Sequence, residues 1–312
     1  MNIEPYVKKL VNNLIKNKQK NKPTQPKQNI DLVLDGGAFN GSYLLGIMYF
    51  FREMENKELL KINRISCCSV SSFIALCYKA DCLHLVCSIF YKKMRKQFNK
   101  SWNLNKFDEI FDILRIHLPD DICERFNNKV FISYYNIQKR QKVIKSTFNS
   151  VDEIFEAVRK SCFFPFIIDG NMIYKEKYID GLTPFIFKRD PTRRILYIDL
   201  LRNKITDTLN IKGERNNYYR VLYGLLDVHL FFTKKTATST CMCSYVDRWS
   251  FSHYGWYIGK KSMECLITYV VIFMKFLSDY YGSSGSKIFA TLAFCIKVAL
   301  TFLLKTVKNL FS

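Results

Sequence analysis

Short apolar runs and amphipathic segments alternate along residues 30–200 of the chain. Runs of about four to eight apolar or β-branched residues are typical of buried strands, whereas apolar positions every three or four residues are typical of helices. The pattern predicts strands at residues 30–34, 62–68, 130–135, 142–148 and 194–200. It predicts helices at residues 42–55, 70–80 and 151–161, with further helical pieces up to about residue 125. Because such alternation is typical of a mainly parallel sheet with helices on both faces, we expect an α/β three-layer sandwich.

Two strongly apolar stretches, residues 264–281 and 287–311, stand near the end of the chain. Residues 282–286, GSSGS, separate them with a composition that ends helices and turns the chain. Lys297 stands midway through the second stretch, where a charge at the centre of a bilayer costs about 3 kcal/mol. We therefore predict that residues 262–312 form an amphipathic helical hairpin that lies in the membrane interface. A transmembrane hairpin and a pair of core helices are the alternatives.

The rest of the chain divides into three regions. Residues 7–15 are apolar enough for a short helix, and a tract of Lys, Gln, Asn and Pro that cannot pack follows them, so we predict a basic flexible tail for residues 1–29. This tail either touches anionic lipid or only keeps the chain soluble. Residues 30–205 form the predicted α/β core, and residues 206–261 form a core extension of uncertain structure.

Composition and charge narrow the class of protein. The chain of 312 residues is 48% hydrophobic and 15% aromatic, which excludes a disordered protein. Lys and Arg number 48 against 27 Asp and Glu, so the net charge of +21 favours an acidic partner, either an anionic membrane surface or nucleic acid. A nucleic-acid-binding protein would need basic and aromatic residues interleaved on one exposed face. The basic residues are instead spread over tail, loops and C-terminal segment, so we expect a membrane partner and no nucleic acid.

Cysteine and histidine usage gives no sign of a disulfide framework or of a metal site. The eleven cysteines show no framework spacing, which favours a reducing compartment, so we expect an intracellular, membrane-associated protein that is not secreted. The spacing of Cys241-Met242-Cys243 fits neither zinc nor redox chemistry and favours packing. No metal or other cofactor is expected.

Three segments carry candidate chemistry. Residues 34–41, LDGGAFNG, follow the first predicted strand, and Ser69 stands where the second predicted strand gives way to a helix. Asp180 and Gly181 form a third segment. A strand that enters a glycine-rich turn, and a second strand that ends on a serine before a helix, form the layout of an acyl-transfer site. The glycines let backbone amides approach an oxyanion, and the sharp turn exposes the serine hydroxyl.

Together these segments resemble the patatin-like phospholipases, whose pattern is a glycine-rich loop with a basic residue and a glycine, then G-x-S-x-G, then D-G. The resemblance covers about residues 30–200, and three ordered matches are more specific than any single one. It implies a lipid acyl hydrolase that cleaves esters of membrane phospholipid or another acyl lipid through an acyl-enzyme. In that scheme Ser69 is the nucleophile and Asp180 the general base. The residues that would form the oxyanion hole are Gly36, Gly37 and Ala38.

The motifs depart from the family pattern at four positions. Ala38 replaces a loop glycine, and Cys67 and Ser71 replace the glycines of the elbow, so these positions remain small. Asn40 replaces the basic residue. If that residue holds the oxyanion loop, Asn40→Arg should raise turnover. An inactive wild type that stays inactive after this change would favour the alternative, a catalytically inactive patatin-like protein that binds lipid or another protein. Besides the nucleophile, base and oxyanion residues, the positions expected to support the motif are Asn40, Gly41, Cys67, Ser71 and Gly181.

Other interpretations of these motifs remain open. Ser69 and Asp180 could combine with His229 or His253 into a triad in the order of an α/β hydrolase. Each motif alone also fits an ordinary turn or a packed small residue. A nucleotide-binding loop is disfavoured because no Gly-Lys-Ser/Thr follows the glycines.

We expect truncation before Ser262 to release the protein from membranes without loss of activity on a soluble ester.

Overall fold

The computed structural model describes residues 3–21, 27–202, 205–211, 216–234 and 241–281. Within these ranges, seven strands form one sheet. They are β1 (Gln28–Leu34), β2 (Leu60–Cys68), β3 (Val130–Asn136), β4 (Gln141–Lys145), β5 (Tyr178–Asp180), β6 (Arg194–Ile198) and β7 (Cys243–Tyr245).

The centre of the sheet is parallel and its edges are antiparallel. The spatial order is β4-β3-β2-β1-β6-β7, with β5 also paired to β3. β1 runs parallel to β2 and β6, and β2 runs parallel to β3. The antiparallel strands are β4 and β5 beside β3, and β7 beside β6. This mixed but mainly parallel sheet confirms the predicted α/β class.

Ten α-helices surround the sheet in the part of the chain that the structure describes. They are α1 (Glu4–Asn21), α2 (Gly41–Asn56), α3 (Val70–Lys79), α4 (Leu83–Leu85), α5 (Lys92–Ser101), α6 (Phe107–Arg115), α7 (Ile122–Phe126), α8 (Val151–Cys162), α9 (Tyr218–Lys234) and α10 (Phe251–Tyr281). A π-helical segment, Val86–Tyr91, joins α4 to α5.

Alternate side chains of the central strands pack on opposite faces of the sheet. Leu32 and Leu34 of β1 belong to the main core, which also contains residues of α1, α2, α3, α8 and α9. Val33 belongs to a second cluster with Tyr197 of β6. Tyr257 of α10 packs against that second cluster. Because side chains alternate along a strand, the sheet is covered on both sides and lies between two layers.

The N-terminal segment packs against the core more than the sequence indicates. Val7, Val11 and Leu14 of α1 are almost fully buried, and α1 contacts α2 and α9. These residues are spaced three or four apart, so they form one apolar face that docks on the main core. This differs from the flexible tail predicted for residues 1–29, because the apolar face outweighs the surrounding lysines.

The predicted C-terminal hairpin is described only in its first half. α10 starts at Phe251, well before the predicted boundary at residue 262, and continues to Tyr281 as one helix. Residues 282–312, which contain the predicted second helix, lie outside the described residues. Among the helices that are described, none has the length and apolar composition needed to cross a bilayer.

Candidate active site

Ser69 occupies a sharp turn between a strand and a helix. β2 ends at Cys68, α3 begins at Val70, and Ser69 between them has φ 54° and ψ −139°. A residue other than glycine pays an energetic cost of about 1 to 3 kcal/mol in so sparsely populated a conformation, and such strain is typical of functional sites. The predicted elbow is therefore present in the backbone, with the half-buried Ser69 at its apex.

Small side chains make room for this elbow. A Cβ on Gly36 would lie 3.1 Å from Ser69 Cβ, and a Cβ on Gly41 would lie 2.7 Å from Val70 Cγ2. Ser71, at a position where the family has glycine, is buried, and its hydroxyl donates to Leu34 O at 3.0 Å. Ser71 thereby ties the elbow to β1, which a glycine cannot do.

The elbow is also held by contacts with residues that lie outside the sequence motifs. The Ser69 amide donates to Ser161 Oγ at 2.9 Å, and Ser161 Oγ donates to Ser133 O at 2.7 Å. Cys67, which replaces the other elbow glycine, is fully buried and its thiol lies 3.6 Å from Phe131 O. The elbow is thus connected to β3 and α8 by residues far from it in sequence.

Asp180 ends the short strand β5 and lies fully inside the protein. Gly181 follows it where only glycine fits, since a Cβ there would lie 2.2 Å from Ser133 O. Asp180 Oδ1 accepts the Leu182 amide at 2.8 Å. Burial raises the pKa of Asp180 to about 7, while hydrogen bonding by the Ser69 side chain and the Leu182 amide opposes this rise. An aspartate with such a pKa is suited to accept a proton near neutral pH.

The structure brings Ser69 and Asp180 together, although the contact between them is loose. The Ser69 side chain is near enough to lower the pKa of Asp180. Asp180 Oδ2 nevertheless has no hydrogen bond of ordinary length to any described residue. Catalytic hydrogen bonds are often long in the absence of substrate, so a carboxyl near Ser69 with one oxygen free of hydrogen bonds to the described residues is compatible with a proton acceptor.

The glycine-rich loop lies beside this pair but does not present all three predicted amides. The Gly36 amide donates to the carboxylate of its neighbour, Asp35 Oδ1, at 3.1 Å. The loop then turns into a short 3₁₀ helix, Ala38–Asn40, where Ala38 has φ 43°. The Gly37 and Ala38 amides donate to no residue within the described ranges. Among the three predicted amides, the Gly36 amide thus has an acceptor in Asp35, whereas the Gly37 and Ala38 amides have none among the described residues.

Asn40 is buried and joins the loop to two distant segments. Its Nδ2 donates to Leu200 O at 2.8 Å and to Thr208 Oγ1 at 3.3 Å, and its Oδ1 accepts from Arg220 at 3.0 Å. Arg220 belongs to α9 and is only 1% exposed. A basic residue therefore does support the loop, but it comes from another part of the chain.

Comparison with known proteins identifies the family of this domain. Residues 32–183, which contain the loop, the elbow and Asp180, match the family model described as patatin-like phospholipase. These residues form a patatin-like domain. The chain is also similar to the 1-acylglycerol-3-phosphate O-acyltransferase Pnpla3 of Mus musculus, with 27% identity over 167 residues, and to PNPLA3 of Homo sapiens, with the same activity in its name and 26% identity over 172 residues.

The matched region is only part of each relative. The two matches take in 50% and 49% of this chain, but only 40% and 34% of the lengths of the mouse and human proteins. The similarity therefore concerns the patatin-like domain and leaves most of the length of those relatives without a counterpart in the match.

Helix α10 contacts the patatin-like domain through buried charged residues that the motifs do not include. Lys260 forms ion pairs with Asp35 and, at 3.2 Å, with Asp199. Burial raises the pKa of Asp35 to about 7, and Lys260 opposes the rise. The pKa of Asp199 is instead lowered, because Lys260 and the amides of Leu201 and Arg202 outweigh its burial. One lysine thus serves two carboxylates, and Asp35 is the one that protonates more readily.

A second contact joins α10 to the segment that follows Asp180. Glu264 accepts from Lys142 Nζ at 2.7 Å and from the Thr183 hydroxyl. Lys142 also donates to Thr183 Oγ1 at 2.7 Å. Glu264 raises the pKa of Asp180 and Lys142 lowers it, so α10 contributes to the electrostatics of the site.

Both histidines of the alternative triad are engaged elsewhere. His229 lies edge-on to the Phe50 ring, with 6.1 Å between ring centroids. His253 Nδ1 lies 2.8 Å from Ser250 Oγ, and the ring stacks on Trp249. These contacts are typical of packing and give the patatin-like domain no histidine partner for Asp180.

One cluster has the ligand types of a metal site. Within the described part of the chain, the side chains of Asp227, Cys241 and Cys243 place ligand atoms within 4.8 Å of one another. Cys241 Sγ lies 3.5 Å from Asp227 Oδ2, which also accepts the Met242 amide at 2.9 Å. Burial raises the pKa of Cys243, which disfavours the thiolate that a metal requires. The cluster is satisfied by its own hydrogen bonds, as expected for packing.

Proposed function

We propose that the chain is a lipid acyl hydrolase that cleaves carboxylic esters of membrane lipids with Ser69 and Asp180. The observation that carries the proposal is the buried Asp180 carboxyl, whose Oδ2 has no hydrogen bond to any described residue and whose pKa the nearby Ser69 side chain lowers, together with the strained elbow that holds Ser69. A buried carboxyl with its pKa near 7 and a serine on a sharp strand-to-helix turn are the two groups that acyl transfer needs.

The first half of the reaction forms an acyl-enzyme. Ser69 Oγ attacks the ester carbonyl carbon, and its proton passes to Asp180 Oδ2. The Gly37 and Ala38 amides hold the negative oxygen of the tetrahedral intermediate. When the intermediate collapses, the carbon–oxygen bond to the leaving alcohol breaks, and Asp180 returns its proton to that alcohol.

The second half removes the acyl group. A water molecule attacks the Ser69 ester, Asp180 accepts the proton of the water, and the fatty acid leaves as Ser69 regains a proton. If the hydroxyl group of an acylglycerol replaces water, the same steps transfer the acyl group. The word acyltransferase in the names of both relatives makes transfer a second outcome for this site.

The outer face of α10 supports a lipid substrate at a membrane surface. Large apolar side chains on this face are exposed at intervals of about one helical turn, whereas Glu264 and Thr268 of the opposite face are buried. The exposed residues are Phe251, Tyr254, Ile258, Leu266, Tyr269, Phe273, Phe276 and Tyr280. An exposed apolar stripe on a helix marks a lipid or protein contact, and the net charge of +21 favours an anionic lipid surface.

Covalent labelling tests the proposed nucleophile. Wild-type protein should react with a fluorophosphonate at Ser69, and Ser69→Ala should abolish the label. Ser69→Ala and Asp180→Asn should each reduce hydrolysis of p-nitrophenyl butyrate at least about 1,000-fold, since either change removes a group that the acylation step requires. Ser101→Ala is the control, because Ser101 is an exposed serine on α5.

The same proteins distinguish hydrolysis from transfer. With a labelled phospholipid, hydrolysis yields free fatty acid, whereas transfer to added 1-acylglycerol 3-phosphate yields the diacylated product. Full labelling and full turnover in Ser69→Ala would overturn the proposed mechanism. A folded wild type that neither labels nor turns over ester would favour the inactive lipid- or protein-binding alternative.

A further inference from the structure

The position of the missing basic residue is coupled to a buried arginine from the other half of the chain. Asn40, where the family pattern has a basic residue, accepts a hydrogen bond from Arg220 at 3.0 Å. The two residues lie 180 positions apart in sequence. Their contact is buried, so the bond acts with little competition from water.

Arg220 is held in place by backbone carbonyls. Its NH1 donates to Asp207 O and its NH2 to Asn210 O, each at 2.7 Å. The guanidinium also lies over the Tyr43 ring, 5.5 Å from the centroid, and the Tyr43 hydroxyl donates to Asp207 Oδ2 at 2.8 Å. The rigid fork of an arginine suits this task, because it donates to several acceptors in fixed directions.

The helices behind this arrangement are packed at backbone contact. A Cβ on Gly46 of α2 would lie 1.9 Å from Val221 O of α9, and a Cβ on Gly224 of α9 would lie 2.0 Å from Tyr43 O of α2. The two glycines let the helices meet closely, which fixes Arg220 relative to the start of α2. The start of α2 is where the glycine-rich loop ends.

Asn40 transmits this position to the loop. Its Nδ2 reaches Leu200 O beyond the end of β6, and the adjacent Phe39 amide donates to Thr208 O at 3.0 Å. The loop is therefore tied on one side to the sheet and on the other to the segment that Arg220 also holds. Gly37 and Ala38, the amides proposed for the oxyanion, lie directly before these ties.

We propose that Arg220 is the positioning residue of the oxyanion loop, acting through Asn40 in place of the basic residue that the family has at that position. The inference rests on the proposed function, because it concerns the same acyl-transfer site. Arg220 does not touch substrate in this scheme; it fixes the direction of the Gly37 and Ala38 amides. In this scheme the positive charge that the family pattern has at position 40 is supplied by Arg220 instead, so it is moved and not lost.

Substitutions at the two residues test the proposal with p-nitrophenyl butyrate as substrate. Arg220→Gln and Asn40→Ala should each lower kcat roughly 10- to 100-fold with KM almost unchanged, because each change removes the buried charge-assisted hydrogen bond between the two residues and the loop amides lose alignment. Arg220→Lys keeps the positive charge but loses the planar guanidinium group, so its kcat should lie between those of wild type and Arg220→Gln. The double variant should be no slower than the slower single variant, since both residues act through one contact.

A charge swap supplies a readout that a merely structural role would not give. Contrary to the expectation from the sequence, Asn40→Arg alone should lower kcat, because it places a second cation beside Arg220 in a buried site. Adding Arg220→Asn should restore part of the loss. Arg64→Gln is the control, because Arg64 is a partly buried arginine paired with Asp31 on β1, and its loss should leave kcat unchanged. Thermal unfolding of every variant reports its fold.

The outcomes separate this proposal from the proposed function. Wild-type kcat in folded Arg220→Gln or in Asn40→Ala overturns the positioning role, as do losses that simply multiply in the double variant. If Arg220→Gln does not fold, Asn40→Ala and the charge swap decide in the same way. A wild type without a fluorophosphonate label on Ser69 overturns both proposals, whereas a labelled wild type with unaffected variants overturns only this one.

Discussion

Asp180 lies in surroundings that oppose the charge it needs as a general base. Burial raises its pKa to about 7, and Glu264 adds to the rise, while Ser69, Leu182 and Lys142 oppose it. The proposed base is therefore only partly ionised at neutral pH. We expect kcat/KM for p-nitrophenyl butyrate to rise as pH increases through about 7 and then to level off, because only the carboxylate accepts the Ser69 proton. A pH profile that is flat between pH 5 and 9 would contradict this assignment.

The raised pKa of Asp180 predicts that the stability of the fold falls with rising pH, whereas kcat/KM rises. Because the folded pKa of Asp180 lies above its unfolded value of 3.8, its contribution to stability is fully present below the unfolded pKa and is lost as pH rises through about 7. Asp180→Asn should therefore gain stability relative to wild type between pH 5 and pH 8, by up to about 1.4 kcal/mol per pH unit. Denaturant unfolding of both proteins at the two pH values measures the difference. An equal difference at both values would show that Asp180 does not titrate in this range.

The residues of the site differ in how far the sequence could predict them. Ser69 and Asp180 stand in short motifs whose meaning is local, so their positions follow from the sequence. Arg220, Lys260 and Glu264 act through contacts with residues more than 100 positions away. A single basic or acidic residue on a helix looks like part of a solvated face until its distant partner is known, which is why the motifs do not reveal these three.

At the scale of elements, long periodic segments were predictable and short ones were not. The five predicted strands correspond to β1, β2, β3, β4 and β6. β5 and β7 have three residues each, too few to show an alternating pattern. α10 begins at Phe251, before the predicted boundary at residue 262, and it includes Gly255 and Gly259, which have open space beside them.

Lys260 joins α10 to two buried carboxylates, which leads to a prediction about stability. Lys260→Met leaves the buried Asp35 and Asp199 without their cation, and breaking one partner of a buried ion pair costs about 3 to 5 kcal/mol. The loss should be smaller at pH 5 than at pH 8, because Asp35, with its pKa near 7, is protonated at the lower pH. Thermal unfolding at the two pH values is the measurement.

Lys261→Met is the matched control for this change. Lys261 is the next residue of the same helix and is exposed, so its loss should change stability little. Adding Asp35→Asn to Lys260→Met should recover part of the lost stability at pH 8, since it removes one of the two unpaired carboxylates. If Lys260→Met and Lys261→Met unfold alike, the buried ion pairs do not hold α10 in place.

At the scale of the whole molecule, α10 has one face that packs on the patatin-like domain and another that we propose contacts lipid. From the sequence, the site and the membrane contact were instead predicted in separate regions, residues 30–205 and 262–312. Its buried face carries Lys260 and Glu264, which contact the patatin-like domain, and its outer face is apolar. Truncation before Ser262 would cut the helix and remove Glu264 from Lys142 and Thr183. We therefore expect such a truncation to lower activity on soluble esters as well as membrane binding, so it does not separate the two functions.

Substitutions on the outer face of α10 should separate membrane binding from the hydrolysis of soluble esters. Leu266 and Phe273 are 53% and 58% exposed, so Leu266→Asp with Phe273→Asp should leave the fold and the hydrolysis of p-nitrophenyl butyrate unchanged. The same double variant should lose binding to vesicles that contain phosphatidylserine, because it removes apolar area and places negative charge against an anionic surface. Vesicle flotation at low and high salt measures binding.

The control must remove the same net charge without changing α10. Tyr6→Asp with Ile116→Asp meets this requirement, because both side chains are exposed and lie on α1 and just after α6. If α10 is the docking face, this control floats almost as well as wild type while the α10 variant stays in solution. If both variants lose binding equally and only at low salt, net charge alone attracts the membrane. If the α10 variant floats like wild type, the apolar stripe is not the surface that contacts lipid.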